Sequence, residues 1–127
     1  MIIITNNYRV NDAYSAKYDV EYIDVSYTAI LEKVRDYIHS GYILLSHPLS
    51  GSIKPGETPF KSIMITKGTD DFNSETMISD ALLIAKRMIT ESKVKDYTEK
   101  LLDDFSLVDY DVITSGIESH IQFGKNA

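Results

Sequence analysis

Two short apolar runs, Ile2-Ile3-Ile4-Thr5 and Tyr42-Ile43-Leu44-Leu45, lie on either side of a helical stripe with a clear start and stop. No other feature constrains the fold as strongly. The first run is β-branched throughout and closed by Asn6-Asn7, which reads as a short strand buried on both faces. Ser26 has the side chain of a helix N-cap, and Tyr27, Ile30, Leu31, Val34, Tyr37 and Ile38 follow at intervals of three and four. His39 suits the negative end of a helix dipole, and Gly41 supplies the stop. Strand, helix and strand in succession, with both strands apolar, predict a parallel pair covered by helices.

The rest of the chain extends this pattern. Val20–Val25 alternates less cleanly and reads as a less buried strand, while residues 8–18 are loop or a short helix. Residues 62–66 make a fourth strand. A second stripe, Met77, Ile78, Ala81, Leu82, Ala85, Met88 and Ile89, predicts a long helix capped at Asn73 or Ser74. It slips near Ser92 and resumes at Val94, Tyr97, Leu101 and Leu102, so one bent helix or two are expected. Tyr110, Ile113, Ile117 and Ile121 give a last helix, with a strand over 107–112 as the competing reading. The expectation is a single α/β domain over residues 1–127. Its sheet would be small, mostly parallel, four-stranded and Rossmann-like, with strands 1 and 3 central and three to four helices as cover.

Composition removes several function classes. The 127 residues include no Cys, which excludes disulfides, thiolate zinc sites and a Cys nucleophile. No apolar run approaches the ~18 residues of a membrane span. The start of the chain lacks a basic segment and a small-residue cleavage site, so a cytoplasmic protein without a signal peptide is expected. The formal charge is −6, the wrong sign for a nucleic-acid binder. Only residues 46–69 are net positive, with Lys54, Lys61 and Lys67 against Glu57. One basic stretch in an acidic chain suits a small anion better than a polymer.

That basic stretch is also the most unusual segment. All three prolines and two of the six glycines fall within residues 46–61. Lys54-Pro55-Gly56-Glu57 has the type II turn pattern, with Pro second and Gly third. Ligands of open parallel sheets bind beyond the carboxyl ends of the strands, which would put Asn6 and Asn7 beside Ser46 and His47 under the loop. The candidate ligand-binding residues are therefore Asn6, Asn7, Ser46, His47, Ser50, Gly51, Ser52, Lys54, Thr58 and Lys61. Each has a plainer reading: Asn6-Asn7 can simply close a strand, His47 can be an edge histidine, and the prolines can stiffen a surface connection. His39, His47 and His120 are too dispersed for a metal face, and no phosphate-binding glycine motif or hydrolase elbow occurs. The acids at 103, 104, 109 and 111 read as a solvated face.

Ile4-Thr5-Asn6-Asn7, Val34-Arg35-Asp36-Tyr37-Ile38-His39-Ser40-Gly41 and the string Leu45-Ser46-His47-Pro48-Leu49-Ser50-Gly51-Ser52-Ile53-Lys54-Pro55, continued by Glu57-Thr58-Pro59-Phe60-Lys61-Ser62, resemble the GrdX-like proteins. The resemblance implies a place beside the glycine, sarcosine and betaine reductase components of amino-acid-fermenting anaerobes. It implies no mechanism. A cysteine-free chain is not one of the thiol-bearing subunits of such complexes. Two readings follow. One is an accessory or regulatory protein that binds a small anionic metabolite, or a reductase-complex subunit, through the 46–61 loop. The other is an enzyme acting on a small phosphorylated or carboxylated compound, with His47 as acid or base and Lys54 or Lys61 holding the anion. Neither reading calls for a cofactor, a metal, nucleic acid or a membrane. The apolar stripe at 94–102 fits core packing or a homodimer face equally well.

Overall fold

A computed structural model describes residues 1–51, 53–92 and 96–124. The elements run β1 (Ile2–Thr5), α1 (Tyr8–Tyr14), β2 (Asp19–Tyr22), α2 (Tyr27–His39), β3 (Tyr42–Leu44), β4 (Ser62–Lys67), α3 (Asn73–Glu91) and α4 (Glu99–Gly124). The α/β class and the four strands agree with the sequence reading. The strand directions do not. The sheet order is β2-β1-β4-β3, with β1 and β2 parallel and β4 antiparallel to both of its neighbours. The sheet is mixed rather than mostly parallel, and the Rossmann-like expectation is not confirmed. β4, not β3, sits beside β1 at the centre, and β3 is a half-buried edge.

The reason lies in the connection between β3 and β4. Parallel neighbours need a crossover, usually a helix, whereas antiparallel neighbours can be joined by a loop that stays on one edge. The proline-rich segment after β3 contributes no helix among its described residues, so β4 returns beside β3 with Leu44 opposite Ile65. The carboxyl ends of β1 and β3 and the first residue of β4 therefore share one edge of the sheet, with Thr5 opposite Ser62.

Alternation along the two central strands builds a core on each face. Ile4, Ile63 and Ile65 pack against Ile30, Leu31 and Val34 of α2 and Ile78, Leu82 and Ala85 of α3. On the opposite face Ile3 and Met64 pack against Val10 of α1 and Ile113 and Ile117 of α4. The result is a helix–sheet–helix sandwich. Tyr14 ties α1 to α4 by stacking on Tyr110 at 5.8 Å and by a hydrogen bond with Thr114.

Helix α2 has the expected ends: the Ser26 hydroxyl accepts from the Ala29 amide, and Gly41 follows with φ of 96°. The start of α3 differs. Asp71 and Phe72 both take left-handed backbone angles, and this turn carries Asp70 over the first turn of the helix. The Asp70 carboxylate, rather than Asn73 or Ser74, accepts from the Ser74 amide and hydroxyl. Residues 105–112 are helical, which decides between the two readings of that segment. Of the 94–102 stripe, Val94 lies outside the described residues, Tyr97 meets Phe105 edge-on at 5.9 Å, and Leu101 is exposed. No helix among the described residues is long and apolar enough to cross a membrane.

The proline-rich segment contains the expected turn, with Gly56 at φ 91° and the Glu57 amide donating to the Lys54 carbonyl at 3.1 Å. A Cβ at Gly56 would lie 2.9 Å from the Ser92 hydroxyl and 3.2 Å from the Met88 carbonyl, whereas one at Gly41 would meet nothing within 4 Å. Gly41→Ala is therefore expected to cost about 1 kcal/mol, the price of a left-handed L-residue, and Gly56→Ala about twice that or more. Urea denaturation of the two variants checks this. Equal losses would show that the turn does not press on the end of α3.

Candidate functional site

Where β1 ends beside the start of β4, the chain buries an unusual set of polar groups. Thr5, Asn6, Asn7, Lys61, Ser62 and Ser106 are all buried. Buried polar groups need partners, and most of these have them. The Thr5 and Ser62 hydroxyls are 2.6 Å apart, and Ser62 donates to Asp109 Oδ2 at 2.7 Å. Asn7 caps α1 by accepting from the Arg9 amide, and its Nδ2 donates to both the Ser106 carbonyl and Asp109 Oδ2 at 2.9 Å. This network joins β1, β4, α1 and α4.

Asn6 does a separate job. Its Nδ2 donates to the carbonyls of Val25 and Pro59, and its Oδ1 accepts from the Lys61 amide at 2.8 Å. It clamps the end of the proline-rich segment onto the sheet and so fixes Lys61. Phe60, packed edge-on against Tyr8 at 5.9 Å, anchors the same stretch.

Lys61 is only 4% exposed. Its Nζ donates to the Ser50 carbonyl at 3.2 Å and lies 5.7 Å from the centre of the Tyr27 ring. The ion pairs among the described residues are Arg9–Asp103, Lys33–Glu21, Arg35–Asp36 and His39–Glu75, and Lys61 belongs to none. An ammonium group has three donors, and this one uses a single protein acceptor. Burial lowers its pKa to about 8, although the negative charge of Asp109 pulls the other way. Asp109 itself is a half-buried residue. Burial pushes its carboxyl pKa up, while the hydrogen bonds from Asn7 and Ser62 and the charge of Lys61 oppose that.

Lys61 and Asp109 face one narrow space between the loop and α4. Tyr27, Ser50, Thr58, Phe60, Phe105, Val108 and Val112 form much of the remaining lining. Only about 20 Å³ of this space is wide enough for the centre of a water molecule. That is room for one or two waters. The chemistry on offer is a donor-rich cation and a hydrogen-bonded carboxylate set in aromatic and aliphatic walls.

The residues expected from sequence divide into groups. Ser50, Gly51, Thr58 and Lys61 line this space. Asn6 and Asn7 lie next to it, but their amides are spent on protein partners. Ser46 accepts from the Met64 amide at 3.0 Å, and exposed His47 accepts from the Leu49 amide at its Nδ1. These two residues open onto a neighbouring groove together with His120 and Ser119 of α4. Lys54 is exposed on the type II turn. Ser52 lies outside the described residues.

Asp109 is the main residue that the sequence reading missed, because it was grouped with the acids of a solvated face. Its register gives it away. Leu102, Ser106, Asp109, Ile113 and Ile117 follow at spacings of three and four, so a carboxylate stands on the inward stripe of α4. Asp103 and Asp104 are exposed, as the solvated-face reading expects.

An α/β sandwich with a buried polar centre at one sheet edge is the class that fold and site define. Residues 2–118 match the family model of the GrdX-like proteins, and the chain belongs to that family. No curated protein and no solved structure matches it.

The state of Lys61 sets a pH dependence. Its pKa falls from the usual 10.5 in the unfolded chain to about 8 in the folded protein, so the unfolded chain binds more protons between those values. Stability contributed by this group therefore rises as pH increases through that window. Tyr37, raised to about 12, works the other way above pH 10, so the clean range is pH 8 to 10. Wild type is expected to gain stability there, and Lys61→Met to lack the gain. Denaturant midpoints across pH measure both. The same slope in wild type and variant would contradict a desolvated ammonium at this position.

Proposed function

We propose that this GrdX-like chain is an accessory or regulatory protein of a glycine or betaine reductase system. It binds a small anionic metabolite, a carboxylate or a phosphate, at the Lys61 cavity beneath the 46–61 loop. The observation that carries this reading is the ammonium group of Lys61, buried to 4% exposure with one protein acceptor and no ion pair among the described residues. Burying a charge in this way is unfavourable for folding alone. A ligand anion would supply the missing partner and accept the remaining donors. Association with the reductase system rests on family membership and on the company such proteins keep.

The enzymatic alternative needs His47 and either Lys54 or Lys61 to act on one substrate. His47 borders the groove with His120, while Lys54 projects from the type II turn. A binding role asks less of the chain, since Lys61, Thr58 and Ser50 already face one space.

Thermal shift tests the reading. With acetate or inorganic phosphate at about 100 times its dissociation constant, the melting temperature should rise by about 10 °C. Lys61→Met should abolish the rise and Lys54→Met should leave it intact. A shift that survives the loss of Lys61, or disappears with Lys54, would move the site elsewhere on the loop.

A further inference from the structure

Lys61 is not the only charge facing the cavity. Asp109 lines it from α4, and this carboxylate takes part in no ion pair among the described residues either. The two groups are close enough for each to shift the other's titration, yet they form no direct ion pair. One small space is thus faced by two unpaired charges of opposite sign.

That arrangement discriminates among ligands. A plain anion drawn to Lys61 also meets the carboxylate of Asp109, and their repulsion in a poorly solvated cavity offsets much of the attraction. A plain cation has the converse problem. A molecule carrying both signs satisfies both groups. We propose that the ligand class of this site is a small zwitterion, an amino acid of the smallest kind, with its carboxylate on the Lys61 ammonium and its own ammonium on Asp109.

Two further features fit the second half of this arrangement. Burial raises the pKa of Asp109 on balance, and Asn7 and Ser62, which both donate to its Oδ2, hold the carboxylate in place and oppose that rise. Phe60 and Phe105 also border the space, and aromatic rings attract a ligand cation. Narrowness sets the size limit. A ligand must replace the one or two waters and spread the half-buried Phe105 and Val108 from the loop, which penalises any added side chain.

The inference rests on the anion site at Lys61, and titration calorimetry at pH 7 separates the two ideas. The probes are glycine, acetate, methylamine and inorganic phosphate, each added to the full chain. Glycine is expected to bind about tenfold or more tightly than acetate, as a second charge-assisted contact implies, with methylamine weakest. Asp109→Asn should weaken glycine by about the same factor and leave acetate unchanged or tighter. Lys61→Met should lose both. If acetate or phosphate binds wild type as well as glycine does, the zwitterion is wrong and the anion site stands. If none of the four binds, both fall. The ranking of ligands on wild type decides the matter even where a variant does not fold.

Discussion

An ammonium group and a carboxylate held on one cavity without touching each other are the constraint around which this end of the molecule is organised. Each charge gives up water on burial, and neither recovers that loss from a direct ion pair. The surroundings compensate in part. Asp109 receives hydrogen bonds from Asn7 and Ser62, Ser62 is backed by Thr5, and Lys61 is left with the Ser50 carbonyl and the face of Tyr27. The compensation is uneven. The carboxylate is well supplied, while the ammonium has a single acceptor among the described residues and a pKa lowered to about 8.

The mixed sheet is what makes this meeting possible. Because β4 runs back beside β1, its first residue, Ser62, stands opposite Thr5, and Lys61 arrives at the edge where Asn6 and Asn7 leave β1. A parallel fourth strand would have put the start of β4 at the other end of the sheet. The sandwich adds the walls: Tyr27 comes from α2 on one face and Asp109 from α4 on the other. Asn6 then locks the end of the loop to the sheet through side-chain hydrogen bonds with the Pro59 carbonyl and the Lys61 amide, so the position of Lys61 depends on β1 as much as on its own strand.

Local signals carried the elements well. Ser26 and Gly41 mark the ends of α2 because capping and left-handed geometry depend on single residues. Strand direction has no comparable marker. Apolar runs such as Tyr42–Leu45 look the same in a parallel centre and at an antiparallel edge, and only the length and character of the 46–61 connection bore on the choice. The entry to α3 was obscured for a related reason. Phe72 takes a left-handed backbone angle that its residue type does not advertise, and the cap moves back to Asp70. At the candidate site, the basic loop and Asn6-Asn7 pointed to the sheet edge where Lys61 and Asp109 meet, but composition could not tell buried Lys61 from exposed Lys54. Asp109 was legible only through its place on the α4 stripe between Ser106 and Ile113, where an acid conflicts with burial and so deserves a functional explanation.

The most direct measurement of the central claim is an NMR titration of the Lys61 side chain, read at Cε in the free protein and again with saturating glycine. The account predicts an apparent pKa near 8 in the free protein and a clear rise once the ligand carboxylate pairs with the ammonium. An apparent pKa close to the usual 10.5 in both states would show that Lys61 is solvated, and that this edge of the sheet holds no unpaired buried charge for a ligand to complete.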